Sequence, residues 1–216
     1  LNVYYDIDDL IFDYERISYL HFLTGSEYKD FKKTTEQIHS CMELCDGYFT
    51  STDTLAGEIR REFPGKPVVI NRNCASMEMQ ILSHDAVEQV EKDSEHISIG
   101  YFSGSKTHDQ DFEVVEEALL EVMKEHPEVR LKLVGVLSDR KMEKFGNKVE
   151  KLPFMDWKQL PSVMAGIDIN LMPLEDSIFH CSKSENKWME AALVKVPSVM
   201  SRNREMEGVI ENGVDG

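Results

Sequence analysis

Short apolar runs alternate along the chain with longer stretches in which apolar residues recur at helical spacing. In the first third, these runs predict strands at 3–5, 47–50 and 67–70. Two helices are predicted between them, over 34–45 and 52–63, and Thr52 or Asp53 is suited to cap the second. The pattern is a β-α-β-α-β succession.

Residues 73–95 differ from the segments on either side. They are polar and helix-prone, and they contain no strand-like run. We interpret them as a connection between two domains. The predicted boundaries are 1–75 for the end of a first α/β domain, 76–95 for the connection and 96–216 for a second α/β domain.

The second half of the chain continues the alternation. Strands are predicted at 97–102, 129–136, 167–172 and 196–200, with a short strand-loop-helix passage at 153–160. Helices are predicted over 111–125 and 183–194, and the first has one apolar face formed by Phe112, Val115, Leu119 and Val122. Sequential units of this kind predict an α/β, Rossmann-like fold with a mostly parallel sheet, in which ligands bind at the carboxyl ends of the strands.

The charge balance disfavours some partners. The chain carries 40 Asp and Glu against 24 Lys and Arg, a formal net charge of −16. Nucleic acid and anionic lipid surfaces are poor partners for such a chain. No run of about 18 apolar residues is present, and no secretion signal is visible, so we expect a cytoplasmic protein. Because the chain opens with Leu1 and stops at Gly216 within a turn-like sequence, we expect it to be part of a longer protein, whose other regions can contact a membrane peripherally.

The cysteines offer a weak alternative function as metal ligands. Cys41 and Cys45 are one helical turn apart and His39 is nearby, a spacing compatible with zinc. No C-x-x-C pair occurs, and buried or reduced thiols are the simpler interpretation. We therefore expect no metal there.

The first candidate ligand loop follows the strand at 97–102. It contains Gly104, Ser105, Lys106 and His108, and a helix begins soon after it. A strand, a small-residue loop and a helix start offer backbone N–H groups to a phosphate, and Lys106 adds charge. The loop is not G-x-G-x-x-G and no acidic residue ends the next strand, which disfavours a dinucleotide-dependent dehydrogenase.

The second candidate is the helix predicted over 183–194. Ser182 and Glu185 have the spacing of a capping box, so the helix is expected to begin at Lys183. Its first amides and its dipole favour an anion, and Lys183 and Lys187 are one turn apart. Glu190, three residues after Lys187, supplies an acceptor for ribose hydroxyls. A solvent-exposed helix decorated with Lys and Glu is the alternative.

The order of these segments resembles a known family. The helix KSENKWMEAALVKVPSVMS followed by VIENGVDG is similar to the donor-site signature of the group-1 (family 4) retaining glycosyltransferases of GT-B fold. The segment IGYFSGSKTHDQDF resembles the first loop of the same domain, and DINLMPLEDSIF resembles the strand before the donor helix. Residues 47–76 resemble the end of the acceptor-side domain, with Asn73 near an interdomain asparagine of that family.

The resemblance implies a transferase that uses a nucleotide-diphosphate sugar and a glycan or lipid-linked acceptor, in the synthesis of cell-surface polysaccharide. It implies no cofactor and no metal. Catalytic roles fall to His108 and Lys187, and Asp8 and Asp9 belong to the acceptor side. The implied donor-binding residues are Gly104, Ser105, Lys106, Ser182, Lys183, Ser184, Glu185, Asn186, Lys187 and Glu190. We expect the isolated chain to have little transferase activity.

One departure from the family leaves other functions open. The family has two glutamates separated by seven residues, and the position before Glu190 that corresponds to the first is Ser182. Some branches carry a K-S-x-x-K-x-x-E form, which this sequence fits. A non-catalytic nucleotide-sugar-binding module and a sugar-nucleotide epimerase are the alternatives. The run Asp6–Asp9 also contains the D-x-D spacing that binds manganese in the other major glycosyltransferase fold, although that fold lacks this helix.

Overall fold

A computed structural model describes residues 1–17, 26–104, 109–137 and 140–216. Their contacts divide the chain into two compact units. The first contains Leu1–Asn73, Asp176–Glu185 and Asn203–Val209, and the second contains Cys74–Glu175, Asn186–Arg202 and Ile210–Gly216. The sequence predicts one domain over 96–216, whereas two short segments of that range pack within the first unit. No helix in the described ranges is long and apolar enough to cross a membrane.

The first unit is built on a three-stranded parallel sheet. Its strands lie in the order β1 (Tyr4–Asp6), β2 (Gly47–Thr50) and β3 (Val68–Ile70). The helices of this unit are α1 (Tyr14–Ile17), α2 (Ser26–Glu43), α3 (Asp53–Glu62), α7 (Ile178–Cys181) and α9 (Arg204–Glu207). Burial of Tyr48, Ile59 and Phe179 in one core joins β2, α3 and α7, because each element turns one apolar side inward.

The second unit contains five parallel strands. They are β4 (Ile97–Ser103), β5 (Val129–Gly135), β6 (Val149–Leu152), β7 (Ile169–Met172) and β8 (Ser198–Met200), in the spatial order β6-β5-β4-β7-β8. The strand order reverses at β4. In open α/β sheets, ligands bind outside the carboxyl ends of the strands at such a reversal.

Helices cover both faces of this second sheet. They are α4 (Met77–Gln89), α5 (Asp109–Glu125), α6 (Leu160–Ala165) and α8 (Asn186–Leu193), with a 3₁₀ segment at Arg140–Lys148. Tyr101 of β4 is buried against Phe112 of α5, and the next residue, Phe102, belongs to a second core with Met164 of α6 and Ala191 of α8. This alternation places successive residues of β4 on opposite faces, and the predicted α/β, Rossmann-like fold with parallel sheets is confirmed.

Several element boundaries differ from the predicted ones. The strand expected to include Pro153 and Phe154 is β6, which ends at Leu152, and proline has no N–H to donate to a sheet. The connection at 73–95 contains α4, capped by the side chain of Ser76, which accepts a hydrogen bond from the Met79 amide. Thr52 caps α3 as predicted, accepting from the Leu55 amide. The helix predicted over 34–45 begins earlier, at Ser26, and the helix expected to begin at Lys183 begins at Asn186.

Candidate functional site

A pocket of about 420 Å³ lies at the carboxyl ends of three strands of the second unit. The ends of β4 and β5, the turn after β6, and the first turns of α8 line it. Its lining residues are Phe102, Ser103, Gly104, Val134, Gly135, Phe154, Met155, Asp156, Trp157, Leu160, Asn186, Lys187 and Glu190. The volume suits a small organic ligand, and the convergence of an apolar floor with the charged residues Asp156, Lys187 and Glu190 is typical of a binding site.

The floor of the pocket is formed where β4 and β5 approach each other closely. Gly135 has a φ of +99°, and a Cβ at this position would lie 1.8 Å from the carbonyl oxygen of Ser103. The Ser103 hydroxyl also donates a 2.7 Å hydrogen bond to the carbonyl oxygen of Val136. Because only glycine tolerates both the positive φ and the contact, the strand ends stay together and leave the pocket open above them.

Two aromatic side chains stand at the pocket with much of their surface in solvent. Phe154 is 67% exposed and Trp157 is 42% exposed. The turn that carries them is fixed by Asp156, whose carboxylate accepts from the Lys158 amide, and Lys158 pairs with Glu78 of α4 at 2.6 Å. Exposed aromatic faces beside an apolar floor can stack on a planar ligand ring.

Lys187 and Glu190 face the pocket from successive turns of α8. The ammonium of Lys187 lies 5.5 Å from the ring centroid of Tyr101, which is fully buried. Burial raises the pKa of the Glu190 carboxyl, and the positive charge of Lys187 offsets part of that rise in its pKa. The first turn of α8 contains no acidic residue, so its amides and Lys187 together favour an anion.

The predicted capping box is absent because its serine is used elsewhere. Ser182 follows directly after α7, at its C-cap position, and only 1% of its surface is exposed. Its hydroxyl donates to the carbonyl oxygen of Ile178 at 2.7 Å, and its own carbonyl accepts from the Thr52 hydroxyl at 2.9 Å. Glu185 lies beside Arg72, with Oε2 3.5 Å from Nη1. The prediction that α8 begins at Lys183 with a Ser182–Glu185 cap was therefore wrong.

The remaining predicted donor residues of this segment belong to the first unit. Ser184 Oγ accepts a 2.9 Å hydrogen bond from Asn73, whose amide also donates to both carboxylate oxygens of Asp8 at 3.0 and 3.2 Å. Lys183 lies 3.7 Å from a carboxylate oxygen of Asp9 and 4.7 Å from the ring centroid of Phe179. The structure thus groups Lys183 and Ser184 with the acceptor-side candidates Asp8 and Asp9.

Arg72 is a polar centre of the first unit that the sequence analysis missed. Its guanidinium contacts three carboxylates, those of Asp53 at 2.9 Å, Glu185 at 3.5 Å and Glu205 at 3.6 Å. Glu205 also accepts from the Thr54 amide and hydroxyl at the start of α3, each at 2.6 Å. Glu185 and Glu205 are more than 100 positions from Arg72 along the chain, so no local sequence pattern indicates these contacts.

The predicted residues of the first loop and the candidate zinc ligands have different outcomes. Gly104 is at the pocket, whereas Ser105, Lys106 and His108 lie outside the described residues, and their roles stay predictions. His39 contacts Glu62 at 2.9 Å, and Cys41 and Cys45 are free thiols. Within the ranges that the structure describes, no three His, Cys, Asp or Glu side chains form a group able to hold a metal ion.

The architecture is similar to that of solved glycosyltransferases. A variant of S. aureus TarM, in complex with fondaparinux, α-GlcNAc-glycerol and UDP, superposes over 98% of this chain with a TM-score of 0.60 at 13% identity. WaaG, a glycosyltransferase involved in lipopolysaccharide biosynthesis, matches 94% with a TM-score of 0.62 at 15% identity. Sucrose-phosphate synthase of Thermosynechococcus elongatus matches 88% with a TM-score of 0.57 at 15% identity.

These likenesses establish the fold of the chain, which is that of the GT-B glycosyltransferases. The chain spans 39% of the TarM chain, 57% of the WaaG chain and 49% of the synthase chain. No protein-family model and no curated protein sequence matches it. At such identities the shared fold assigns no role to individual side chains, and function depends on the residues of the site.

Proposed function

We propose that the chain is the donor-binding part of a glycosyltransferase that uses a nucleotide-diphosphate sugar. The observation that carries this proposal is the pocket at the ends of β4, β5 and β6, which presents Lys187 and Glu190 of α8 beside exposed aromatic rings. Each part of such a donor has a matching group there: rings for the base, a carboxylate for the ribose, and a cationic helix start for the diphosphate.

The diphosphate belongs at α8 rather than at α5, for an electrostatic reason. The first turn of α5 carries Asp109 and Asp111, whereas the first turn of α8 carries Lys187 and no acid. Carboxylates at a helix N-terminus already complement its dipole and repel a second anion. The amides of Asn186 and Lys187, with the Lys187 ammonium, would therefore hold the diphosphate.

In the proposed reaction, the bond between the sugar and the diphosphate breaks, the acceptor hydroxyl oxygen forms the new glycosidic bond, and the proton of that hydroxyl passes to the leaving diphosphate. Negative charge grows on the leaving diphosphate, and fixed positive groups lower the barrier by stabilising that charge in the transition state. Lys187 supplies this charge without a metal or a cofactor. Lys106 and His108 of the first loop remain proposed contributors, and we propose retention at the sugar carbon.

The acceptor is proposed to be a glycan or lipid-linked saccharide, with the product entering cell-surface polysaccharide. Asp8 and Asp9 are the proposed acceptor-side residues. In support, Asn73 orients the Asp8 carboxylate through both of its oxygens, and Asp9 lies near Lys183. A carboxylate held in this way can accept a hydrogen bond from a sugar hydroxyl.

A second candidate function is a non-catalytic nucleotide-sugar-binding module. The burial of Ser182 favours it, because this position, which corresponds to the first glutamate of the resembled family, presents no side chain to a ligand. Product analysis separates the candidates. Transfer to an added acceptor supports the transferase, conversion of the donor without acceptor indicates an epimerase, and an unchanged donor supports the binding module.

A ligand panel on the full chain tests the shared premise. UDP, GDP, ADP and their hexose conjugates are added in thermal-unfolding experiments. A ligand that binds only the folded chain stabilises it by about 2.7 kcal/mol at 100 times its Kd, so at least one nucleotide should raise the melting temperature by several degrees. No shift with any nucleotide would contradict the proposal.

A further inference from the structure

Two side chains bind consecutive backbone amides of the loop that follows β7. The carboxylate of Asp111, in the first turn of α5, accepts a 3.0 Å hydrogen bond from the amide of Glu175. The hydroxyl of Ser201, just after β8, accepts a 2.8 Å hydrogen bond from the amide of Leu174. All four residues belong to the second unit. The loop is therefore held by hydrogen bonds to two other parts of the second unit, the first turn of α5 and the segment just after β8.

Asp111 is a fully buried carboxylate. It is 0% exposed, and a buried carboxylate requires hydrogen bonds or opposite charge to offset its lost hydration. The N-terminus of α5 provides part of that compensation and the Glu175 amide another part. The negative charges of Asp111 and Asp109 also help burial to raise the pKa of the neighbouring Tyr101 phenol.

The place of this loop in the sheet relates it to the donor. The pocket covers the ends of β6, β5 and β4, and β7 is the next strand along the same edge. Helix α8, which carries Lys187, packs against β7. A donor with its nucleoside in the pocket and its diphosphate at α8 would extend its sugar toward β7 if it follows the strand ends, and the loop at Leu174 and Glu175 follows that strand.

We propose that Asp111 is a positioning residue for the sugar end of the donor, acting through the Glu175 amide. The proposal rests on the proposed function, because it takes the nucleoside to occupy the pocket. Asp111 itself touches no part of the donor. It holds the loop in the one arrangement that faces the sugar, so its loss affects a nucleotide sugar and spares the nucleoside diphosphate.

Four variants and two ligands test this proposal by titration calorimetry. Asp111→Ala removes the acceptor, Asp111→Asn keeps an oxygen that can accept from Glu175, and Ser201→Ala releases the other side of the loop. Glu116→Ala is the matched control, because Glu116 is a buried carboxylate of the same helix, 5% exposed and paired with Lys141 at 2.5 Å. The ligands are the nucleotide sugar with the largest thermal shift and its nucleoside diphosphate.

We expect Asp111→Ala to lower the affinity for the nucleotide sugar about tenfold, the equivalent of one lost hydrogen bond, and to change that for the nucleoside diphosphate less than about threefold. Ser201→Ala should act in the same direction, Asp111→Asn should restore sugar-dependent affinity, and Glu116→Ala should match the wild type. Should Asp111→Ala fail to fold, Ser201→Ala and Asp111→Asn decide the question alone.

Equal losses for both ligands, or no loss for either, would overturn the positioning role and leave the proposed function intact. An Asp111→Asn variant as impaired as Asp111→Ala would also overturn it, since the hydrogen bond would then not be the cause. Failure of the wild-type chain to bind either ligand would instead contradict the proposed function and this inference with it.

Discussion

The hydroxyl of Thr52 donates a 2.9 Å hydrogen bond to the carbonyl oxygen of Ser182. The same hydroxyl caps α3 by accepting from the Leu55 amide, so the Ser182 backbone is anchored at the start of that helix. With its own side chain bound to Ile178, Ser182 is enclosed within the first unit. Ser182 occupies the position at which the resembled family has its first glutamate, and in this chain its side chain bonds within the first unit instead of facing a ligand.

Substitution of Ser182 by glutamate should not restore a sugar contact. A carboxylate at a position 1% exposed would lose its hydration without a partner. We expect Ser182→Glu to lower the free energy of unfolding by about 3 kcal/mol or more, against about 1 kcal/mol for Ser182→Ala, which loses one hydrogen bond. Urea unfolding measures both. A Ser182→Glu protein as stable as wild type with tighter nucleotide-sugar binding would contradict this account of the position.

The glycine pair at the pocket offers a second test. Gly135→Ala places a Cβ 1.8 Å from the Ser103 carbonyl oxygen at a φ of +99°, whereas Gly104→Ala meets nothing within 4 Å. We expect Gly135→Ala to destabilise the chain by about 2 kcal/mol or more, since the strand ends must separate, and to weaken nucleotide binding. Gly104→Ala should stay within about 1 kcal/mol of the wild type. Similar melting temperatures for the two variants would show that this contact does not shape the pocket.

The fold was predictable from sequence to a greater extent than the site. Runs of apolar residues identify β2, β4 and β5, because most residues of these strands are buried and the pattern is local in the sequence. Thr52 identifies the start of α3, because its hydroxyl can accept a hydrogen bond from the first turn of the helix. The start of α8 was predicted three residues too early, because Ser182 bonds to Ile178 and Thr52 instead of to its own helix. Arg72 escaped prediction altogether, since its partners Glu185 and Glu205 are distant along the chain.

We expect the ionised carboxylate of Glu190 to lower the free energy of unfolding and to raise the affinity for a nucleotide. Burial raises the pKa of its carboxyl above the ordinary value of 4.5, so its ionised form is disfavoured in the folded chain. Below the unfolded-state pKa the residue is protonated in both states and carries no penalty. As pH rises through the folded pKa, the unfolded state has already ionised, and stability is lost.

Glu190→Gln removes this titration. We expect its melting temperature to equal that of the wild type at low pH and to exceed it at neutral pH, by about 2–4 °C for each 1 kcal/mol relieved. The same variant should bind nucleotide and nucleoside more weakly, because a neutral amide oxygen accepts from the ribose hydroxyls less strongly than a carboxylate does. Melting curves from pH 4 to 8 and calorimetry at pH 7.5 measure both effects. Lower stability at neutral pH together with unchanged binding would refute the prediction.

The most direct test of the central claim, that α8 holds the diphosphate of a nucleotide sugar, is the affinity of Lys187→Ala for a nucleoside diphosphate and for its nucleoside. Lys124→Ala, at the exposed end of α5, is the matched control. Loss of a charge-assisted hydrogen bond of about 1.5–3 kcal/mol should lower the affinity of Lys187→Ala for the nucleoside diphosphate roughly tenfold to a hundredfold. Its affinity for the nucleoside should be unchanged, and Lys124→Ala should match the wild type with both. Equal affinities of the Lys187→Ala and Lys124→Ala variants for the nucleoside diphosphate would contradict the claim.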